Sequence, residues 1–312
     1  MLNNGLIHAA AGAAGGIVAV TATYPLVVLS TRESVDKQDQ TKAKKSILEA
    51  LQTIRREKGW TALYRGVGPC LFAIALTNGF YYFFYENTKE FIVKSREGSK
   101  ALSTLESMLA GLVAGSCTAI LSNPVWVIQT TQINQDTSDK PKSRMGVIQT
   151  VRTLLKDYGI SAFFRGVGPA LVLVMNPIIQ YTVFEQMKNL LIKRRTAKLR
   201  ATGGLAIAVA VLSDWDYFFL GALSKLVATS LTYPYIVVKN RLQAGSDEAA
   251  RYKSALHSVL IIAKEEGIEG LYRGLSSKLL QSVLTAAILF ASQKRIYEFT
   301  KQALAVAPVF AK

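Results

Sequence analysis

The 312 residues include only two cysteines and two histidines. Cys70 and Cys117 stand in apolar surroundings, so no disulfide framework is indicated. A metal centre lacks the Cys/His cluster it would need. Charge is missing from long stretches: Ala9 to Thr31 carries none, and Ser107 to Gln135 carries none. A bilayer core needs about 20 apolar residues in helical form. With 50% hydrophobic residues and a mean hydropathy of +0.23, an integral membrane protein is the expected class. The chain has no glycine-rich phosphate loop with a lysine and no nucleophile elbow, so an enzyme is not expected. No positively charged leader precedes the first apolar run, so no cleaved targeting peptide is expected.

What is abundant is positive charge, +16 formally. The basic residues fall mainly between the apolar runs, as with Lys42, Lys44, Lys45, Arg55 and Arg56, and again with Lys193, Arg194, Arg195, Lys198 and Arg200. Juxtamembrane lysine and arginine beside anionic phospholipid explains that placement. An anionic solute fits the same balance. A nucleic-acid partner is not expected.

One phrase occurs three times. "TYPLVVLSTR" begins at Thr23, "SNPVWVIQTT" at Ser122 and "TYPYIVVKNR" at Thr232, with prolines at Pro25, Pro124 and Pro234. Thirteen and nine residues upstream stand Gly12 and Gly16, Gly111 and Gly115, then Gly221 and Lys225. Downstream, "GWTALYRG", "GISAFFRG" and "GIEGLYRG" begin at Gly59, Gly159 and Gly267. A period of about a hundred residues makes three tandem units, divided at residues 1–100, 101–200 and 201–312. Each unit reads as long helix, short amphipathic helix, long helix. The short segments carry Ile47, Leu51 and Ile54; Val147, Val151, Leu154 and Leu155; and Leu256, Leu260 and Ala263, at helical spacing. They suit the membrane surface. Ser103 with Glu106 reads as a capping box, and Ser213, Asp214 and Asp216 as a start for the fifth span. Gly-x-x-x-Gly pairs let spans approach closely in lipid, and Pro25, Pro124 and Pro234 are expected to kink theirs. The expected fold is an all-α integral membrane protein, with six transmembrane helices in a pseudo-threefold barrel and short surface helices.

These repeats resemble the mitochondrial carrier family. Its signature is Pro-x-[Asp/Glu]-x-x-[Lys/Arg]-x-[Lys/Arg] at the end of each odd span. The acidic position here holds Val27, Trp126 and Ile236; the first basic position Ser30, Gln129 and Lys239; the second Arg32, Thr131 and Arg241. In the family these acids and bases form a ring of salt bridges between units that closes one face. With every acid gone that ring cannot form, and closure is expected to rest on apolar packing and the remaining polar groups, in a looser gate. A second ring, [Phe/Tyr]-[Asp/Glu]-x-x-[Lys/Arg] on even spans, is matched by Tyr85, Glu86 and Lys89 and by Phe184, Glu185 and Lys188. It fails at Ser292, Gln293 and Ile296. Helix-end ion pairs are the plainer reading of the two that match. The details look closest to the peroxisomal branch, whose members carry adenine nucleotides and CoA-like cofactors. The tryptophan at Trp126 also occurs in carriers of folate, flavin and pyridine nucleotides.

A symmetric scaffold holding an asymmetric solute must break its symmetry at the site. Lys225 stands where the other units keep Gly16 and Gly115. An ionisable group within a span costs about 2.5–3.5 kcal/mol on insertion scales, so it needs water, a partner or an anion; a phosphate contact is expected. Lys278 and Gln281 share a face of the sixth span, and Gln281 falls on the family's third contact point. The other two contact points fall near Ala73 and Ile74 and near Val172 and Leu173, which are apolar and suit a flat base. Asn176, Gln180 and Asn78 are candidate polar contacts, or bonds between helices. Arg32, Lys239 and Arg241 are candidate escorts for a polyanion, or interfacial anchors. Arg65, Arg165 and Arg273 read as lipid or scaffold residues.

The resemblance implies antiport of adenine nucleotides, ATP against AMP or ADP, across the peroxisomal membrane by alternating access. CoA, FAD or NAD is the alternative cargo, and the mitochondrial inner membrane the alternative location. A nonselective pore is a further class. The expected partners are the anionic solute and membrane phospholipids, with no cofactor and a monomeric chain. The basic run from Lys193 to Arg200 is a candidate peroxisomal address, or an ordinary charged loop.

Overall fold

The computed structural model describes residues 4–36, 46–95, 102–134, 145–201, 211–245 and 254–306. Lys42, Lys44 and Lys45 and the side chains of Asp214 and Gln293 lie outside the described set. Every described element is helical. Unit one contains α1 (Asn4–Val35), α2 (Ile47–Lys58) and α3 (Val67–Lys94). Unit two contains α4 (Thr104–Asn134), α5 (Val147–Tyr158), α6 (Val167–Leu173) and α7 (Asn176–Ala201). Unit three contains α8 (Asp214–Ala244), α9 (Ala255–Leu271) and α10 (Leu275–Val306).

Four stretches of helix are long and apolar enough to cross a membrane, at residues 13–35, 60–94, 104–134 and 160–201. The other two spans, α8 and α10, occupy the same places in the repeat. α8 is more polar because it carries Lys225, Lys239 and Arg241. Reciprocal caps start these helices. Glu106 N donates to Ser103 Oγ at 3.3 Å while Ser103 N donates to Glu106 Oε2 at 2.7 Å. Ser213 and Asp216 make the same box on α8, and Ser46 and Glu49 on α2.

The short helices bury one face. Thr150 and Leu154 are buried on α5, and Ile47, Leu51 and Ile54 are half-buried on α2. On α9 the buried face carries Ser258 and Ile262. Leu256 and Leu260 are each 60% exposed in the protein alone, as suits apolar residues of a helix at the membrane surface.

Pro25, Pro124 and Pro234 lie inside helices that run on unbroken. The interrupted span is the fourth, at Val174 and Met175 between α6 and α7. Pro177 has no N–H to offer the carbonyl of Leu173. The chain tightens there instead, with Val174 N donating to Leu171 O and Met175 N to Val172 O.

The units close into a ring. The even span of each unit packs along the odd span of the next: α3 on α4, α6 and α7 on α8, and α10 on α1. Within each unit a strut ties the two spans together. The residue before each odd-span proline donates to the arginine carbonyl that precedes the even span. Tyr24 Oη reaches Arg65 O at 2.9 Å, Asn123 Nδ2 reaches Arg165 O at 2.9 Å, and Tyr233 Oη reaches Arg273 O at 3.0 Å. The glycine after each arginine is left-handed, with φ of 79° at Gly66, 78° at Gly166 and 82° at Gly274. Each also lies against the next unit. A Cβ there would stand 3.2 Å from Gln129 O, 3.2 Å from Lys239 O and 2.8 Å from Ser30 O respectively. Arg-Gly therefore recurs because a positive φ and a close backbone approach coincide at each joint.

Gly274→Ala should destabilise the protein by about 1–3 kcal/mol. The measurement is thermal unfolding in detergent, with a lower melting temperature expected. Gly68→Ala, whose added methyl meets open space, should leave it unchanged or raise it.

Candidate functional site

The C-terminal ends of α1, α4 and α8 meet and shut one end of the bundle. In place of carboxylate–lysine pairs, a ring of side chain to backbone hydrogen bonds joins them. Seven residues after each proline stands a donor, and nine residues after the next proline stands its acceptor. Arg32 Nε donates to Ile133 O at 3.0 Å, Thr131 Oγ1 to Gln243 O at 3.3 Å, and Arg241 Nε to Ser34 O at 3.0 Å. The ring runs from unit one to two, two to three, and three to one.

Apolar packing fills the vacated acid positions. Val27 packs beside Tyr24, Val28, Cys70 and Ile133, and Ile236 packs beside Tyr233, Val237 and Ile262. A buried ion pair adds to this end. Both Arg241 Nη atoms meet Glu266, with Nη2 at 2.9 Å from Oε2, and Arg273 Nη1 reaches the same carboxylate at 3.1 Å. Arg273 also donates to Asp36 O at 2.6 Å, so unit three is tied to the end of α1. Arg32 and Arg241, expected as escorts for a polyanion, are 5% and 2% exposed and are committed to this closure.

The opposite end differs. Lys89 pairs with Glu86 at 2.9 Å and Lys188 with Glu185 at 2.6 Å, each within its own helix. Among the described residues no bond of these groups crosses between spans. The ends of the odd spans are thus bonded to one another, while the ion pairs at the ends of the even spans stay within single helices.

Between the two ends lies a cavity of about 670 Å³, lined from all three units. Thr77 and Tyr81 of α3, Thr118 and Trp126 of α4, Tyr181 of α7 and Lys239 of α8 border it. Leu173 contributes to the wall, while Ala73 is fully buried behind it. Thr118 Oγ1 is buried and has no hydrogen-bond partner among the described residues.

Lys225, Thr232 and Lys239 follow at seven-residue intervals on one stripe of α8. Lys278 stands on α10, and of these three lysines Lys239 is the one that lines the cavity. Among the described residues none of them has a carboxylate partner.

The amides divide by role. Asn176 Nδ2 donates to Thr232 Oγ1 at 2.7 Å and to Ala228 O at 3.2 Å, stapling α7 to α8. Gln281 is 8% exposed and donates to Thr285 Oγ1 at 2.9 Å; Thr285 in turn shares a 2.7 Å hydrogen bond with Thr23 of α1. Its Oε1 is buried and has no partner among the described residues. Gln180 is half-buried and Asn78 exposed.

The basic run after the fourth span continues α7 as helix. Arg195 within it forms a two-pronged ion pair with Asp216, both contacts at 2.6 Å, bracing α7 against the start of α8. Arg165 lies 4.1 Å over the Tyr158 ring. The struts, the carbonyl ring and the Arg195–Asp216 pair were not anticipated from sequence. The first two have a signal there, since their residues stand at fixed offsets from each proline; the third has none.

Arg241→Ala should remove one partner of a buried ion pair, a loss of about 3–5 kcal/mol. A marked drop in melting temperature is expected, with Arg241→Lys intermediate because charge returns without the Nε bond.

Comparison with known proteins agrees with this geometry. The family profile described as "Mitochondrial carrier protein" matches residues 3–96, 100–195 and 211–305. The chain is 33% identical to the peroxisomal nicotinamide adenine dinucleotide carrier of Arabidopsis thaliana, covering 96% of this chain and 97% of that protein. It is 33% identical to peroxisomal membrane protein PMP47B of Candida boidinii, covering 91% and 84%. Identity to peroxisomal membrane protein PMP34 of Mus musculus is also 33%, covering 93% and 92%. The chain belongs to the mitochondrial carrier family of membrane transporters, on its peroxisomal branch, as a multi-pass solute carrier of the peroxisomal membrane.

Proposed function

We propose that this carrier exchanges adenine nucleotides, ATP against AMP or ADP, across the peroxisomal membrane by alternating access. The observation that carries the reading is that Lys225, Lys239 and Lys278 stand within spans and none of them meets a carboxylate among the described residues. Lysines within spans are costly. A polyphosphate offsets that cost. Lys225 and Lys278 hold the phosphates, and Gln281 offers its free Oε1 to a donor on the solute. Asn78 and Gln180 are secondary contacts, while Asn176 works through its bond to α8.

Alternation follows from the two ends. The carbonyl ring must part when the cavity opens toward it, while Glu86, Lys89, Glu185 and Lys188, with Gln293 in the third position, draw together behind the solute. A ligand drives this switch only through different affinities for the two states. Exchange is favoured because the empty form has nothing to offset the bonds it must break.

A second reading is a dinucleotide or CoA. Two observations support it: the aromatic side chains of Trp126, Tyr81 and Tyr181 that line the cavity together with Lys239, and the NAD carriage printed in the name of the Arabidopsis relative. Liposomes loaded with AMP should take up labelled ATP. Lys225→Ala should reduce the initial rate at least tenfold, a barrier increase of about 1.4 kcal/mol. Competition by NAD, FAD and CoA ranks the cargoes. Uptake of none of them, or leakage of a neutral sugar at the same rate, overturns the reading.

A further inference from the structure

We propose that Trp126 and Lys239 form a cation–π latch at the closed end, and that an anionic solute opens it by drawing the Lys239 ammonium off the indole. The inference rests on the reading of the cavity as an anion site, and not on which nucleotide enters it.

The positions point to the role. Trp126 stands two residues after Pro124, where the repeat signature has an acid. Lys239 stands five residues after Pro234, at the signature's first base. In the ring order of the units, acid position two faces base position three. The Lys239 Nζ lies 5.4 Å from the centroid of the Trp126 ring, within the range of a cation–π contact. An aromatic face thus occupies the place of the missing carboxylate. The other two pairings bring Val27 opposite Gln129 and Ile236 opposite Ser30, which hold no cation. The latch is therefore asymmetric and falls between units two and three alone.

The ring is fixed and the lysine is not. Trp126 Nε1 donates to Thr77 Oγ1 at 3.2 Å, which pins the indole to α3. Its side chain also packs against the buried cluster of Tyr24, Val28, Cys70 and Ile133. Lys239 is half-buried, borders the cavity and has no carboxylate partner among the described residues. Its backbone carbonyl packs against Gly166, so a shift of the helix at Lys239 is felt at the joint to unit two.

Physics sets the order of strength. An indole attracts a cation through its quadrupole, far more weakly than a full negative charge attracts it at the same distance. A carboxylate at position 126 would hold Lys239 against an incoming phosphate. The indole yields it. Binding then costs the closed end one of its ties between units at the moment the solute arrives. The solute gains a third ammonium only as that tie is lost, and this supplies the difference in affinity that a population shift demands.

Two measurements on the full-length carrier test the proposal. The first is a double-mutant cycle of Trp126→Leu and Lys239→Gln, read as melting temperature without solute. Trp126→Leu should lower it by more in the parent than in the Lys239→Gln background, whatever Lys239→Gln does alone. Additive losses would show that the two side chains do not interact, and would overturn the latch. The second uses Trp60→Phe with Trp215→Phe, leaving Trp126 as the sole tryptophan. ATP, AMP and NAD should each change its emission saturably, and Lys239→Gln should abolish the change. Binding seen as a rise in melting temperature without a change in emission overturns the release step. If none of the three binds, the reading under Proposed function falls, while the cycle still decides the latch. In exchange assays Trp126→Phe should keep a rate within about threefold of the parent. Trp126→Glu should slow exchange at least tenfold by holding Lys239 in an ion pair; exchange at the parent rate in Trp126→Glu contradicts the proposal.

Discussion

An ammonium group inside a bilayer-spanning bundle must find a negative partner, water or an anion, and three lysines here stand within spans with no carboxylate partner among the described residues. Lys225 breaks a threefold pattern that keeps glycine at Gly16 and Gly115. Lys239 lies on the same stripe of α8, and Lys278 stands on α10. The rest of the molecule is the frame that holds these spans in a ring and shuts it at the ends of the odd helices.

The shut end shows how a symmetric scaffold survives the loss of its charged ring. Three donors at one offset meet three carbonyls at another, so each unit still grips the next. Backbone acceptors are indifferent to side-chain identity, which is why arginine serves in units one and three and threonine in unit two. Apolar residues at the former acid positions add packing that needs no partner. A largely buried carboxylate, Glu266, stands at this end between Arg241 and Arg273. Closure therefore depends on geometry fixed by the glycine joints and proline-adjacent struts more than on charge.

The fold was largely legible because the repeat is written three times. The period, the Arg-Gly joints and the Ser103–Glu106 cap each have a local chemical signature. In unit three the sequence showed the apolar stripe of Leu256 and Leu260 but not the face that packs on the bundle, because α9 is apolar on more than one side and Ser258 with Ile262 are the buried pair. The break at Pro177 was missed as a break because proline inside a span reads the same whether neighbouring backbone adapts or parts. The candidate site was legible only in its charges. Lys225 stood out by departing from symmetry, yet whether Asn176 faces solute or the neighbouring helix depends on rotation about α7, which composition does not encode. Arg32 and Arg241 looked available for an anion because the carbonyls that hold them come from other units, about a hundred residues or more away in sequence.

Equilibrium binding to the purified carrier tests the role of the span lysines most directly. Titrated with adenosine, AMP and ATP at fixed ionic strength, the protein should bind more tightly with each added charge. Exchanging Lys225 and Lys278 together for glutamine should collapse that ladder toward the adenosine value. Equal affinity for adenosine and ATP in the unaltered carrier, or an unchanged ladder after both lysines are replaced, would contradict the account.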